Sequence, residues 1–400
     1  MYRILIFYLI FATQAAAQFL WSQQQLQFVK HDLLTNSHSI YKSAYNDLIQ
    51  QAKKFSTESP VSVMNKRHIP ANGDKHNYQS LSRYYWPNPK TPDGLPYIHK
   101  DGQSNPELKE YDRQQLEIMS KRIQIFTLAW YLSDSLEYAK KAMEQIDIWF
   151  LDSATKMNPN MDYAQIIPGR DNNKGHSFGV LDGYSFVQML DALTLLEQTE
   201  YFTPNKKKQI HQWFYAFAKW LKESSLGNRE KQAFNNHGTT YDTQLLAYSL
   251  YIGDLQTAGE LIDHFAKRHL LQQIELDGSQ PQELKRTLSF HYSRYNLAHM
   301  LDFYLIANNR GFSISNATSI NGHDFYRALD FLTNYIGKKV EDWPYRQISD
   351  WEKNQIELLK DIYKVATILN PEKNEYIKLF NEYAFLIHDY LFCLLYQKTN

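Results

Sequence analysis

Apolar residues recur at three- and four-residue spacing through most of the chain beyond residue 110, the period of a helix with one buried face. The pattern predicts helices over 116–131, 135–150, 184–198, 205–224, 243–251, 255–271, 289–308, 324–336, 354–369 and 375–395. In the second of these, Leu136, Ala139, Ala142, Met143 and Ile146 share a side, and Thr203-Pro204 is a start signal for the fourth. No stretch alternates with period two over a useful length, and hairpin dipeptides between β-branched runs are lacking. The expected class is all-α, built of stacked helical hairpins. A bundle, a solenoid and an α/α toroid all satisfy that pattern, and no fixed-period repeat selects among them.

Five stretches interrupt the helical pattern: 78–106, 157–183, 228–242, 277–293 and 343–351. The first is too rich in Pro and Gly for a helix and too aromatic for a disordered linker. Long loops on a helical scaffold are where function usually sits.

The chain has 400 residues, 43% of them hydrophobic, enough to bury a core without staples. Its start has Arg3, an apolar run over 4–12 and small residues at Ala15 and Ala17. That is the layout of a secretory signal peptide over 1–17, cut after Ala17, with 18–400 as a single domain; a membrane anchor is the alternative. The expected location is periplasmic or secreted, with no membrane association after cleavage. The lone Cys393 excludes an intrachain disulfide and a cysteine zinc site, and reads as a small buried hydrophobe. Lys plus Arg (43) balance Asp plus Glu (43), so global charge points to neither nucleic acid nor membrane. No metal-binding cluster such as H-E-x-x-H appears, and no metal or cofactor is expected.

The loops hold a set of groups suited to one reaction, β-elimination from a uronate. The proton on carbon 5 must leave, charge then builds beside a carboxylate, and the oxygen on carbon 4 must be protonated. Asn236, His237 and Arg286 suit the carboxylate, and Tyr292 suits the proton transfers. A free phenol has a pKa of about 10, and a neighbouring Arg and His are expected to lower that of Tyr292. Proton and leaving oxygen share a face in mannuronate, so one Tyr can serve both; in guluronate they lie on opposite faces, and His237 is the second group. Each residue also has a structural reading. Asn236 can cap a helix with Gly238 at positive φ, Arg286 can pair with Glu283 or Asp277, and Tyr292, His176 and His291 can be packing residues, with His99 in a loop.

Taken in order, the segments Y-Y-W-P-N-P from Tyr84, W-F-L-D-S-A-T-K-M-N-P-N-M-D-Y-A-Q-I-I-P-G to Gly169, N-N-H-G-T-T-Y-D from Asn235, D-G-S-Q-P-Q-E-L-K-R-T-L-S from Asp277 and Q-I-S-D-W-E from Gln347 resemble the alginate lyase superfamily. The resemblance implies an α/α toroid (an incomplete α/α barrel) with a cleft across one end, and metal-independent elimination on an acidic polysaccharide. It puts the carboxylate-handling pair on Asn236 and His237, the Arg on Arg286 and the acid/base on a Tyr. The family's Tyr position here holds Ser293, flanked by Tyr292 and Tyr295; Tyr292 is the assignment. This spacing is closer to branches that include glucuronan-type activity. Tyr84, Tyr85, Trp86, Tyr241 and Tyr295 are expected to line sugar subsites with Arg170, Lys174 and His176. Two competing functions are a hydrolase of unsaturated uronyl oligosaccharides, drawing its carboxylates from Asp242, Asp182 and Glu283, and a non-catalytic glycan-binding protein.

Overall fold

Each predicted apolar stripe becomes a buried helix face in the computed structural model, which describes residues 18–398. The leader expected over 1–17 lies outside the described residues. In chain order the helices are α1 (Gln23–Thr35), α2 (Lys42–Ser56), α3 (Asp112–Ser133), α4 (Leu136–Ile146), α5 (Tyr184–Val187), α6 (Leu190–Leu196), α7 (Pro204–Glu223), α8 (Ser225–Lys231) and α9 (Asn236–Ile252). They continue as α10 (Leu255–Phe265), α11 (Leu271–Gln273), α12 (Pro281–Leu284), α13 (Ser289–Asn309), α14 (Phe325–Thr333), α15 (Trp351–Lys364), α16 (Asn374–Tyr383) and α17 (Tyr390–Leu395).

The start of α7 shows how sequence sets a boundary. Thr203 accepts a hydrogen bond from the Lys206 amide, and Pro204 occupies the first turn, where its missing N–H costs nothing. Ile210, Trp213, Phe214, Phe217, Ala218 and Leu221 then bury one stripe. On α4 the stripe is Tyr138, Ala139, Ala142, Met143 and Ile146. Leu136, expected on that face, is 49% exposed, because it opens the helix at its solvent end.

Short reversals make the hairpins. Asp134, in the left-handed region at φ 58°, turns α3 into α4, and Gly253 at φ 82° turns α9 into α10, which Asp254 caps. Helix pairs succeed one another around an α/α toroid, with α9 packed on α7, α10 and α13. The first and last helices of the described residues meet. Helix α17 packs on α1 and α2, and Gln25 Nε2 and Tyr41 Oη both donate to the Gln397 carbonyl. Buried Asp191 accepts the amides of Phe19, Leu20 and Trp21, tying down the first described residues. Much of the aromatic content is core: Phe150, Phe186, Trp213, Phe214 and Phe217 form one edge-to-face and stacked cluster.

Strand is confined, among the described residues, to three short pairs. Strand β1 (Gln79–Leu81) runs parallel to β4 (Tyr163–Ile166). Strands β2 (Tyr85–Trp86) and β3 (Ile98–His99) form a hairpin, as do β5 (Ser319–Ile320) and β6 (His323–Asp324). Helices α1 and α2 were not predicted: α1 is glutamine-rich and buries only Gln25, Leu26 and Val29. The stretches 228–242 and 277–293, expected as loops, are partly helical: α8 and α9 occupy most of the first, and α12 and the start of α13 part of the second. The region 343–351 packs, with Trp343 donating its indole N–H to Ser289 Oγ.

Candidate active site

Five chain segments converge on a cavity of about 370 Å³ lined by Arg83, Tyr84, Tyr85, His99, Arg113, Phe178, Asn236, His237, Arg286, His291, Tyr292 and Tyr295, among others. The predicted quartet Asn236, His237, Arg286 and Tyr292 is thus brought to one place, with Tyr84, Tyr85 and Tyr295.

The pair is set by the first turn of α9. Asn235, not Asn236, is the cap, accepting from the His237 amide at 3.1 Å. Gly238 is helical rather than at positive φ; a Cβ there would stand 2.0 Å from the Ala233 carbonyl oxygen. Asn236 is fully buried, and its backbone N–H and Nδ2 donate to the Glu283 carboxylate at 2.7–2.9 Å. His237 Nδ1 meets Glu230 Oε1 at 2.6 Å. No protein hydrogen bond to its Nε2 is found among the described residues, and the residue lines the cavity.

Arg286 precedes α13, and Tyr292 lies in that helix's first turn. The expected partners of Arg286 were Glu283 or Asp277; its carboxylate partner is Asp101, 2.7 Å away. Asp101 also accepts from the Thr287 amide and hydroxyl. Burial pushes the Asp101 carboxyl up, but the bonds from Arg286 and Thr287 outweigh it and hold the pKa at about 2. The Arg286 guanidinium stacks 3.8 Å over the Tyr292 ring.

The strap that carries β2 and β3 delivers Asp101 to Arg286 and Tyr84 to Tyr292, whose hydroxyls lie 2.7 Å apart. Tyr292 itself departs from expectation: burial, and then Tyr84, raise its pKa above the ordinary phenol value, against the lowering pull of Arg286. Desolvation of the phenolate exceeds the nearby charge, so the resting group is a neutral phenol. His291, hydrogen-bonded to Asn354 Oδ1, is pushed down to about 4, mainly by burial, and is neutral near pH 7.

Arg83 was missed. It immediately precedes Tyr84 and lines the cavity, and among the described residues no carboxylate stands within ion-pair distance of it. Arg113, also missed, is paired with Asp182 at 2.9 Å. Of the three arginines lining the cavity, Arg83 is the one whose charge is uncompensated. His99, read as a loop residue, lies in β3 and lines the cavity.

Other expected subsite residues fall elsewhere. Tyr241 is 1% exposed and donates its hydroxyl to the Leu221 carbonyl; on α9 its position points it into the core. Lys174 is exposed and outside the lining. Arg170 stacks over the Tyr85 ring at 5.7 Å, and the Trp86 indole N–H donates to the Gln103 carbonyl, both outside the lining. His176 is bonded to Gln165 and Asp171 and stacks on Phe178, which does line the cavity.

The carboxylates a hydrolase would draw on are all engaged. Asp182 takes Arg113, Tyr78, Ser80 and Gln165, Asp242 takes His269 and Arg268, and Glu283 takes Asn236. The Cys393 thiol is pushed up to about 11 by burial and is a poor nucleophile. No helix among the described residues is long and apolar enough to cross a membrane.

The family model described as alginate lyase matches residues 62–343. An alginate lyase from Bacteroides ovatus, known by crystal structure, is 40% identical with a TM-score of 0.91, covering 96% of this chain and 99% of its own. Alginate lyase A1-III from Sphingomonas species A1 is 13% identical with a TM-score of 0.54. Its histidine-to-alanine variant complexed with tetrasaccharide is 14% identical with a TM-score of 0.60. Both A1-III structures match over 96% of each chain and share the fold. No curated protein matches. With a family match over more than half its length and a 40% identical relative along nearly all of it, this chain belongs to the alginate lyase family.

Proposed function

We propose that this polysaccharide lyase cleaves a polyuronate, alginate or a close relative such as glucuronan, by β-elimination at the cavity between α9, α13 and the strap. The carrying observation is the meeting of Asn236, His237, Arg286 and Tyr292 around one space, with the uncompensated Arg83 beside them. A uronate polymer brings a carboxylate at every sugar, and an unpaired guanidinium in a part-dry cavity is what such a group needs.

Bound there, the reacting uronate has its carboxylate against Arg83 and Arg286, which offset the charge that builds as carbon 5 loses its proton. The amide of Asn236, expected to share that task, is bonded to Glu283. Tyr292 gives its proton to the oxygen on carbon 4, a role that suits a phenol kept neutral at rest by burial. The carbon 5 proton goes to His237 where it lies on the opposite face from that oxygen. Where the two share a face, Tyr292 first sheds its own proton, helped by Arg286, then takes the carbon 5 proton and returns it to the oxygen. Tyr84, hydroxyl to hydroxyl with Tyr292, holds that phenol in position. The relative from Bacteroides ovatus is an alginate lyase, which supports alginate as the first substrate to try. The engagement of Asp182, Asp242 and Glu283 with structural partners favours elimination over hydrolysis, which needs two carboxyl groups free to flank the bond. The start of the chain supports export to the periplasm or beyond.

Mass analysis of the products from defined oligouronates is the test. Elimination yields a new non-reducing end lighter by one water than hydrolysis gives. Products carrying the full water would refute the proposal.

A further inference from the structure

Glu230 lies on short helix α8, seven residues before His237, in a run (N-R-E-K-Q) that reads as solvent-facing. Yet it is 2% exposed. Burying a carboxylate costs several kcal/mol unless it is well partnered. The side-chain hydrogen bond found for Glu230 among the described residues is the one to His237 Nδ1, at 2.6 Å. Lysine and arginine partners, which stabilise buried Asp112 and Asp361, are absent here among the described residues. A buried acid spent on one imidazole at the mouth of a cavity is a poor device for stability and a good one for fixing a proton.

We infer that Glu230 is a positioning residue that keeps the proton of His237 on Nδ1, which leaves Nε2 as a lone pair for the base role already read for His237 on uronates whose proton and leaving oxygen lie on opposite faces. This rests on the elimination reading above and adds to it the residue that sets the tautomer of His237.

The balance is simple. The C5–H bond breaks and an Nε2–H bond forms. The electron pair becomes the C4–C5 double bond, the C4–O4 bond breaks, and O4 takes the proton of Tyr292. The Glu230 carboxylate stabilises the imidazolium so formed. His237 then releases its proton to solvent and Tyr292 regains one, with no water consumed.

Two measurements test this. The first uses the intact wild-type protein: ¹⁵N spectra of its histidines, with the His237 signals identified by their loss in His237→Gln. A neutral ring protonated at Nδ1 is expected; a neutral ring protonated at Nε2 overturns the inference whatever any variant does. The second compares wild type with Glu230→Gln, whose amide can donate to Nδ1 and so favour the wrong tautomer. On polyguluronate, kcat is expected to fall on the order of 10²-fold or more, with KM within about threefold. On polymannuronate, where one face serves both transfers, the fall is expected to be at least about tenfold smaller. Equal losses on both polymers, or a loss confined to KM, overturn it, as does a wild type that makes unsaturated product from polymannuronate or glucuronan and none from polyguluronate. A wild type inactive on all three polymers instead defeats the elimination reading itself, while the spectra still report what Glu230 does to the ring.

Discussion

Arg83 and Arg286 carry the same charge into the same cavity in different states. Arg286 is already matched by Asp101 and stacked on Tyr292, so its role is to shape the phenol's surroundings as much as to meet a ligand. Arg83 has no carboxylate partner among the described residues, and a uronate is the natural counter-ion. A hydrogen bond to a charged group contributes about 1.5–3 kcal/mol. Arg83→Gln is therefore expected to weaken oligouronate binding by about tenfold or more, read by calorimetry, with the melting temperature little changed. Unaltered affinity would move the carboxylate to Arg286. The residue scale is also where sequence reading was most uneven. Asn236, His237, Arg286 and Tyr292 were legible because their order along the chain resembles a family. Glu230, buried, and Asp101, partly exposed, were not, because an acid behind a functional group looks like any surface acid until the fold brings the two together. Tyr241 failed for the converse reason: within the same short motif as His237, the helical turn directs it inward.

At the scale of elements, two junctions aim the chemistry: the turn into α9 and the strap over α13. The first depends on Gly238 because the chain passes too close for a side chain, 2.0 Å from a Cβ to the Ala233 oxygen. Gly238→Ala is expected to cost about 1–3 kcal/mol and to displace Asn236 and His237, losing more activity than the shift in unfolding midpoint alone accounts for; an active, unshifted variant would contradict this. The second junction is the ion pair of Asp101 with Arg286. A carboxyl held at about 2 instead of 3.8 adds stability that is fully present above about pH 4. That part is lost as pH falls through about 2. Denaturant titrations of wild type and Asp101→Asn should therefore differ at neutral pH and converge in strong acid; a gap that widened on acidification would reverse the sign. Helices with strong apolar stripes were legible element by element. The start of α9, made of Asn, Gly and Thr, forms because neighbours bury it, which intrinsic preference does not announce. Helix α1, glutamine-rich with only Gln25, Leu26 and Val29 buried, carries too thin an apolar stripe to read.

For the whole molecule, the toroid holds the cavity by joining parts far apart in sequence: residues 83–99 from the strap, 236–237 from α9 and 286–295 from the entry and first turns of α13. The all-α class followed from periodicity, whereas closure into a ring depends on contacts such as Gln25 and Tyr41 with Gln397, which no local pattern encodes. The central claim is that this enclosed space eliminates rather than hydrolyses. Its most direct measurement is the ultraviolet absorbance of unsaturated uronate as wild type and Tyr292→Phe act on polymannuronate, polyguluronate and glucuronan. Absorbance should rise with wild type on at least one polymer and fall to about 10⁻² or less of that rate with the variant, whose oligouronate binding persists. No rise on any polymer, or a variant as fast as wild type, would contradict the account.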